Sequence, residues 1–198
     1  MNVMSNIVQS LFGLHNRVFE LVERSLANWL PGLAARAVFS SVLLVFFWQS
    51  AATKLDGGLF SPSAGAYAQI FPKTLEALDY DTDRMSAFHS LIVLAGTYAE
   101  FILPLLILVG LMTRLASAGM IGFITVMSIV DIYGHGLDEK SIGGLFDRFQ
   151  DSVIADQRLL WVFPLVYLVI KGAGMISVDA LLKKILPYSS NKAVASHS

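Results

Sequence analysis

The most conspicuous pattern in the chain is a set of four apolar runs, each close to 20 residues long. A helix of about 20 apolar residues spans the ~30 Å hydrocarbon core of a bilayer. Each run carries only a single charged residue, whereas a helix in a soluble protein of this size needs a polar face. The pattern therefore predicts an all-α integral membrane four-helix bundle, with helices at about 33–52, 87–110, 115–134 and 159–177.

The first 32 residues show a different periodicity. Apolar residues recur there every three or four positions, with polar and charged residues between them, which is typical of an amphipathic helix lying in the membrane interface. We expect this helix to end at Pro31–Gly32. A helix that packs against a partner protein is the alternative. The predicted organisation is then residues 1–32 as an interfacial helix, 33–186 as the membrane domain and 187–198 as a disordered tail.

Composition supports a membrane location and narrows the chemistry. The chain is 55% hydrophobic and 15% charged, against about 45–50% and about 25% in soluble domains, which argues against a soluble enzyme. Its net charge of −1 provides no overall basic field that would attract nucleic acid. With no cysteine, we expect no disulfide and no iron–sulfur cluster. The sequence also lacks facing histidines in mid-membrane, so we expect no haem.

Orientation follows from the basic residues beside the spans. The side that carries both termini has seven Lys and Arg residues and the other side has six. Four of the six lie in two long loops, 56–85 and 135–157, which also contain ten acidic residues, and the other two, Lys54 and Arg158, lie directly beside these loops. This asymmetry predicts that both termini of this multi-pass membrane protein are cytoplasmic.

Three intramembrane charges form the first candidate site. A charge in hydrocarbon costs roughly 2.5–3.5 kcal/mol on insertion scales, so each is expected to be paired or functional. At ~1.5 Å per residue, Glu100 lies about 20 Å inward from the start of its helix. By the same count Lys171 lies at about 18 Å, and Arg36 is close to the cytoplasmic edge. We expect the three to meet and to bind a polar ligand, with Glu100 carrying a proton; alternatively they only lock the helices, or Lys171 extends to the cytoplasm.

A second candidate group lies near the outer surface. Asp131 and His135 are four residues apart, and His89 and Lys54 are expected at a similar height. His89, Asp131 and His135 are ligands that suit a divalent metal or a proton-coupled redox site. Lys54 joins the ligand- or proton-linked candidates. The alternative is that these residues only make hydrogen bonds at the interface.

Short motifs at the helix ends carry a family resemblance. They are Arg36 followed by Lys54-Leu55, Glu100 followed by Gly110-Leu-Met-Thr-Arg114, and Gly172-Ala-Gly-Met-Ile-Ser-Val-Asp179. In this order on four spans, they resemble the DoxX family of small bacterial membrane proteins over roughly 33–182. The resemblance implies a four-helix bundle in the bacterial cytoplasmic (inner) membrane. It also implies a link to thiosulfate:quinone oxidoreduction and other membrane redox systems, although most members have no assigned activity.

Two hypotheses for the function follow. In the first, the chain is an accessory subunit of a membrane redox system that binds a quinone-like or other small ligand between its helices. In the second, it is a non-enzymatic scaffold that docks partner proteins through the N-terminal helix and the outer loops. No catalytic residue is identified, because no nucleophile, phosphate-binding or metalloprotease motif is present. The expected partners are the bilayer, other membrane proteins and a second copy of this chain.

Overall fold

The computed structural model describes residues 2–185, and across them it contains helices and turns but no strand. The nine α-helices are α1 (Asn2–Leu26), α2 (Leu30–Ala52), α3 (Ala64–Ile70), α4 (Pro72–Ala77), α5 (Ala87–Val109), α6 (Thr113–Ile129), α7 (Glu139–Ile142), α8 (Leu159–Lys171) and α9 (Val178–Ile185). A π-helical turn, Val130–Gly134, extends α6, and another, Val153–Arg158, leads into α8. The predicted tail, 187–198, lies outside the described residues.

Four helical segments are long and apolar enough to cross a membrane: Leu30–Ala52, Ala87–Val109, Thr113–Gly134 and Val153–Lys171. In the bundle α2 and α6 each pack against both α5 and α8. The predicted all-α membrane bundle is therefore confirmed. Its core uses apolar residues spaced three or four apart, so that they share one face of each helix: Phe39, Leu43, Phe47, Ile107, Ala116, Met120, Ile124, Leu165 and Leu168.

Two ends of the bundle position the polar residues. At the Arg36 end, α2 begins, α5 turns into α6, and α8 ends and leads to α9. At the Lys54 end, α2 ends and the segments 53–86 and 135–152 connect the spans. A second small core covers the start of α5 there, formed by the buried residues Ala66, Tyr67, Leu75, Met85 and Val93.

The boundary between α1 and α2 differs from the prediction. The amphipathic helix ends at Leu26 and α2 begins at Leu30, so Pro31 and Gly32 lie in the first turn of the spanning helix. Proline is tolerated in a first turn because its missing N–H would have no helical acceptor there. Gly32 permits a close approach, since a Cβ atom at this position would lie 2.7 Å from the Ala173 carbonyl oxygen.

The fourth span also differs, because it covers 153–171 rather than 159–177. Gly172 follows with φ +81°, a left-handed conformation that ends the helix. The apolar residues after it do not continue the span. They fold across the Arg36 end instead.

Candidate functional site

A buried ion pair joins α2 to α5 at the Lys54 end. Lys54 Nζ lies 2.5 Å from Glu100 Oε1 and 2.6 Å from Oε2, and each side chain is 4% exposed. Lys54 follows the last turn of α2, and its side chain reaches back along the helix to donate a third hydrogen bond to Ser50 Oγ at 2.8 Å. Glu100 lies on the face of α5 that contributes its other buried residues, including Thr97 and Pro104.

The contacts of this pair satisfy the hydrogen bonds of the ammonium and place the two opposite charges together. An ammonium has three N–H donors, and here each one has an acceptor. Burying one charge alone is costly, whereas a close pair with additional hydrogen bonds recovers much of that cost. The Lys54–Glu100 pair can therefore remain charged inside the bundle, and Ser50 completes it.

Arg36 forms a separate network at the opposite end. Its guanidinium is buried and donates to four backbone carbonyls rather than to a carboxylate. Nε donates to Ile107 O at 2.9 Å and Nη2 to Leu108 O at 2.6 Å. Nη1 donates to Ile176 O at 2.6 Å and to Ala173 O at 3.4 Å. The last carbonyls of a helix lack partners within it, so Arg36 caps α5 and fixes the segment after α8.

Gly110 and Asp179 complete this Arg36 network. Gly110 has φ +73°, and a Cβ atom there would lie 2.6 Å from Ser177 Cβ and 2.9 Å from Arg36 Cζ, so a side chain does not fit. The Asp179 carboxylate accepts hydrogen bonds from the Met112 and Thr113 amides at 2.7 and 2.9 Å. These amides begin α6, where a negative charge is favourable. The motif residues therefore hold together the ends of α2, α5, α6 and α8.

The predicted meeting of Glu100, Arg36 and Lys171 is wrong. Glu100 binds Lys54, Arg36 binds carbonyls at the other end, and Lys171 is exposed at the end of α8. The error came from the depth count, which started at Ala87. The first turns of α5 extend past the end of α2 and are covered by the small core, so that Glu100 lies level with Lys54.

The predicted outer group is not brought together either. Asp131 pairs with Arg158, which also donates to Ser128 Oγ at 2.8 Å. His89 Nδ1 lies 2.8 Å from Ser86 Oγ, and His135 Nε2 lies 2.9 Å from Gln69 O. Within residues 2–185, no three His, Asp or Glu side chains converge in a way that could hold a metal ion.

Sequence reasoning missed the roles of three residues. Ser50 and Lys54 are one helical turn apart, and that spacing was the available signal for their contact. Arg158 was treated as a loop charge because the polar residues before it obscured the start of the fourth span. Lys54 was placed with the histidines, whereas its partner is Glu100.

Comparison with known families gives one match. The family model DoxX matches residues 33–133, about half of the 198 residues. The match includes Arg36, Lys54, Glu100 and Gly110, and it ends before the Asp179 segment. Searches among curated proteins and among solved structures give no significant match. With four helices able to span a bilayer and a family match over half of its length, the chain belongs to the DoxX family of membrane proteins.

Proposed function

We propose that this protein is an accessory subunit of a redox system in the bacterial inner membrane, and that it binds the head group of a quinone-like molecule at the Lys54–Glu100 pair. The observation that carries the proposal is the buried meeting of an ammonium, a carboxylate and a hydroxyl between two membrane-spanning helices. Ionisable groups inside membrane-spanning segments are costly to bury, and they characteristically mark ligand and proton pathways.

The hydrogen-bonding groups suit this ligand class. Quinone oxygens accept hydrogen bonds, and Lys54 Nζ and Ser50 Oγ are donors; quinol hydroxyls donate, and Glu100 is an acceptor. A bound quinone would supply the electron-accepting chemistry, while Glu100 would hold or release a proton. Because the two charged side chains are only 4% exposed, a head group can enter only when the ion pair opens. Of the four residues predicted to bind a ligand or a proton, Lys54 and Glu100 remain candidates for the quinone site. Arg36 is excluded because backbone carbonyls occupy its donors, and Lys171 is excluded because it is exposed.

A quinone titration tests this proposal. Trp48 Nε1 donates to Phe101 O at 3.1 Å. In a background that carries Trp29→Phe and Trp161→Phe, the tryptophan fluorescence comes from Trp48 alone and reports on the residue next to Glu100. We expect a short-chain quinone to quench the purified protein saturably in nanodiscs. The double variant Lys54→Met, Glu100→Gln removes both charges from the site. It should raise the Kd for the quinone about tenfold, which corresponds to ~1.4 kcal/mol of binding free energy.

The second ion pair supplies a matched control. The double variant Asp131→Asn, Arg158→Gln removes a pair of similar chemistry outside the proposed site, and its quenching curve should match that of the parent. If the two double variants saturate alike, or if the parent shows no saturable quenching, the head-group proposal is rejected.

The scaffold function is favoured by a different observation, the isolation of α1. The apolar side chains of α1 from Ile7 to Val22 are exposed. We propose that they lie in the membrane interface or contact a partner protein. A scaffold docks partner proteins, or a second copy of this chain, through this face. Deleting residues 1–26 separates the two functions: it should leave quinone quenching unchanged under the first, and should release co-purifying partners under the second.

We also propose that both ends of the chain are cytoplasmic. The basic-residue asymmetry supports this orientation, and α1 and α9 both adjoin the Arg36 end. The cysteine-free chain allows a direct test with single cysteines at exposed positions. Ser61→Cys should react with a membrane-impermeant thiol reagent in intact cells, and Ser25→Cys should react only after the cells are opened. The reverse pattern would refute this orientation.

A further inference from the structure

A cationic cleft opens at the Arg36 end of the bundle, whereas the proposed quinone site is at the Lys54 end. It has a volume of about 930 Å³ and lies between the start of α6, the end of α8 and α9. Three basic side chains line it: Arg114 from the first turn of α6, Lys171 from the last turn of α8, and Lys183 from α9. All three are exposed.

The fold holds these three cations on one surface. The Asp179 carboxylate binds the start of α6, and the Asp179 amide donates to Gly110 O at 2.8 Å, which fixes α9 against the α5–α6 turn. A Cβ atom on Gly172 would lie 3.5 Å from Arg114 Nε, so Arg114 lies against the end of α8. The cluster is therefore a consequence of the Arg36 network and not of one flexible segment.

Acids offset only part of the positive charge of the cleft. Asp179 is the acidic residue that lines it, against three cations, and its carboxylate oxygens already accept hydrogen bonds from backbone amides. In the part of the chain that the structure describes, Arg114, Lys171 and Lys183 form no ion pair with a carboxylate. The cleft therefore attracts an anion, and a phosphate group can accept hydrogen bonds from Arg and Lys together.

The walls of the same cleft are apolar. Met112, Leu115 and Leu182 line it and are exposed. Leu115 and Met112 lie at the end of a membrane-spanning helix, where exposed apolar side chains face lipid. A soluble phosphate compound has no apolar part that could contact these side chains, whereas the acyl chains of a phospholipid can cover them. Basic pockets between membrane helices are a known setting for anionic head groups.

We propose that this cleft binds one anionic phospholipid, with its phosphate held by Arg114, Lys171 and Lys183 and its acyl chains lying against Met112, Leu115 and Leu182. The site is distinct from the Lys54–Glu100 pair and does not depend on quinone binding.

Native mass spectrometry of the full chain tests this proposal. The protein is released from nanodiscs that contain phosphatidylglycerol and phosphatidylethanolamine in equal amounts, and the lipids that remain bound are counted. We expect the parent to retain one phosphatidylglycerol. The triple variant Arg114→Gln, Lys171→Gln, Lys183→Gln should retain about tenfold less phosphatidylglycerol than the parent, because each cation contributes separately to holding an anionic head group.

A matched triple variant controls for net charge. Arg17→Gln, Arg24→Gln, Lys184→Gln removes three cations at the same end but outside the cleft, and should retain the lipid. Equal loss in both triple variants would show a diffuse charge effect and overturn the proposal. So would displacement of the lipid by millimolar inorganic phosphate or glycerol phosphate, which would identify a site for a free phosphate compound.

A single-residue comparison keeps the test decisive if the triple variant fails to fold. Lys183 and Lys184 are neighbours on α9, and only Lys183 lines the cleft. Lys183→Gln should reduce lipid retention and Lys184→Gln should not. Equal retention by these two variants would reject the site.

Discussion

Changing Glu100 to Gln is expected to destabilise the bundle by about 3–5 kcal/mol, because it leaves the Lys54 ammonium buried without its counter-charge. Lys54 would keep only the neutral oxygens of the introduced amide and of Ser50 as acceptors, at a position where its side chain is 4% exposed. Lys54→Met should have an effect of similar size, since it isolates the carboxylate. The free energy of unfolding, measured by denaturant titration in detergent micelles, reports both effects.

The double variant separates pairing from simple loss of polar groups. Lys54→Met combined with Glu100→Gln removes both charges, and we expect it to recover most of the stability lost in either single variant. The exposed pair Arg24–Glu20, with side chains 77% and 61% exposed, is the control. Glu20→Gln should leave unfolding unchanged within error, because solvent already screens that pair. Additive losses at Lys54 and Glu100 would contradict a coupled pair.

Changing Arg36 to Met is expected to have a comparably large effect through a different mechanism. The substitution leaves the carbonyls of Leu108 and Ile176 without the donors that now approach to 2.6 Å, and it leaves Ile107 O with only the Gly110 amide, at 3.2 Å. An unsatisfied buried acceptor costs about 1–3 kcal/mol. The loss should appear both as a lower unfolding temperature and as faster cleavage by protease in the segment 172–177, which Arg36 holds in place.

Arg36→Lys tests whether the geometry of the guanidinium matters. A lysine keeps the charge but cannot reach carbonyls on both α5 and the segment after α8 from one fixed plane, since its donors share a single nitrogen. We expect Arg36→Lys to be nearly as destabilising as Arg36→Met. If the lysine variant is as stable as the parent, charge alone explains the role of Arg36.

The spans could be predicted because hydrocarbon imposes a length and a composition on any helix that crosses it. The runs containing Glu100 and Asp131 were predicted with boundaries close to those observed. Arg36 and the motifs that contain Gly110 and Asp179 were identified from the sequence as family motifs. The sequence did not show that these residues form one network. Hydrogen bonds to backbone carbonyls leave no signal in a side-chain pattern, and so the partners of Arg36 could not be inferred.

The candidate site was harder to predict, because it depends on how far one helix extends past another. Counting residues gives a distance along α5 but not its offset from α2. That offset arises from the loop core around Tyr67 and Val93, which encloses the first turns of α5. Likewise, the fourth span begins six residues earlier than predicted because Arg158 is neutralised by Asp131, a contact between segments that local hydropathy does not report.

The acceptors of Arg36 also impose an order on biogenesis. Two of them, on Ile107 and Leu108, exist once α5 has been made, but those on Ala173 and Ile176 are translated about 65 residues later. Until then Nη1 has no protein acceptor and must stay hydrated, which its place near the start of α2 permits. A nascent chain that stops before residue 173 is thus left with an incompletely bonded arginine, and arrival of the last span is the event that withdraws it from water.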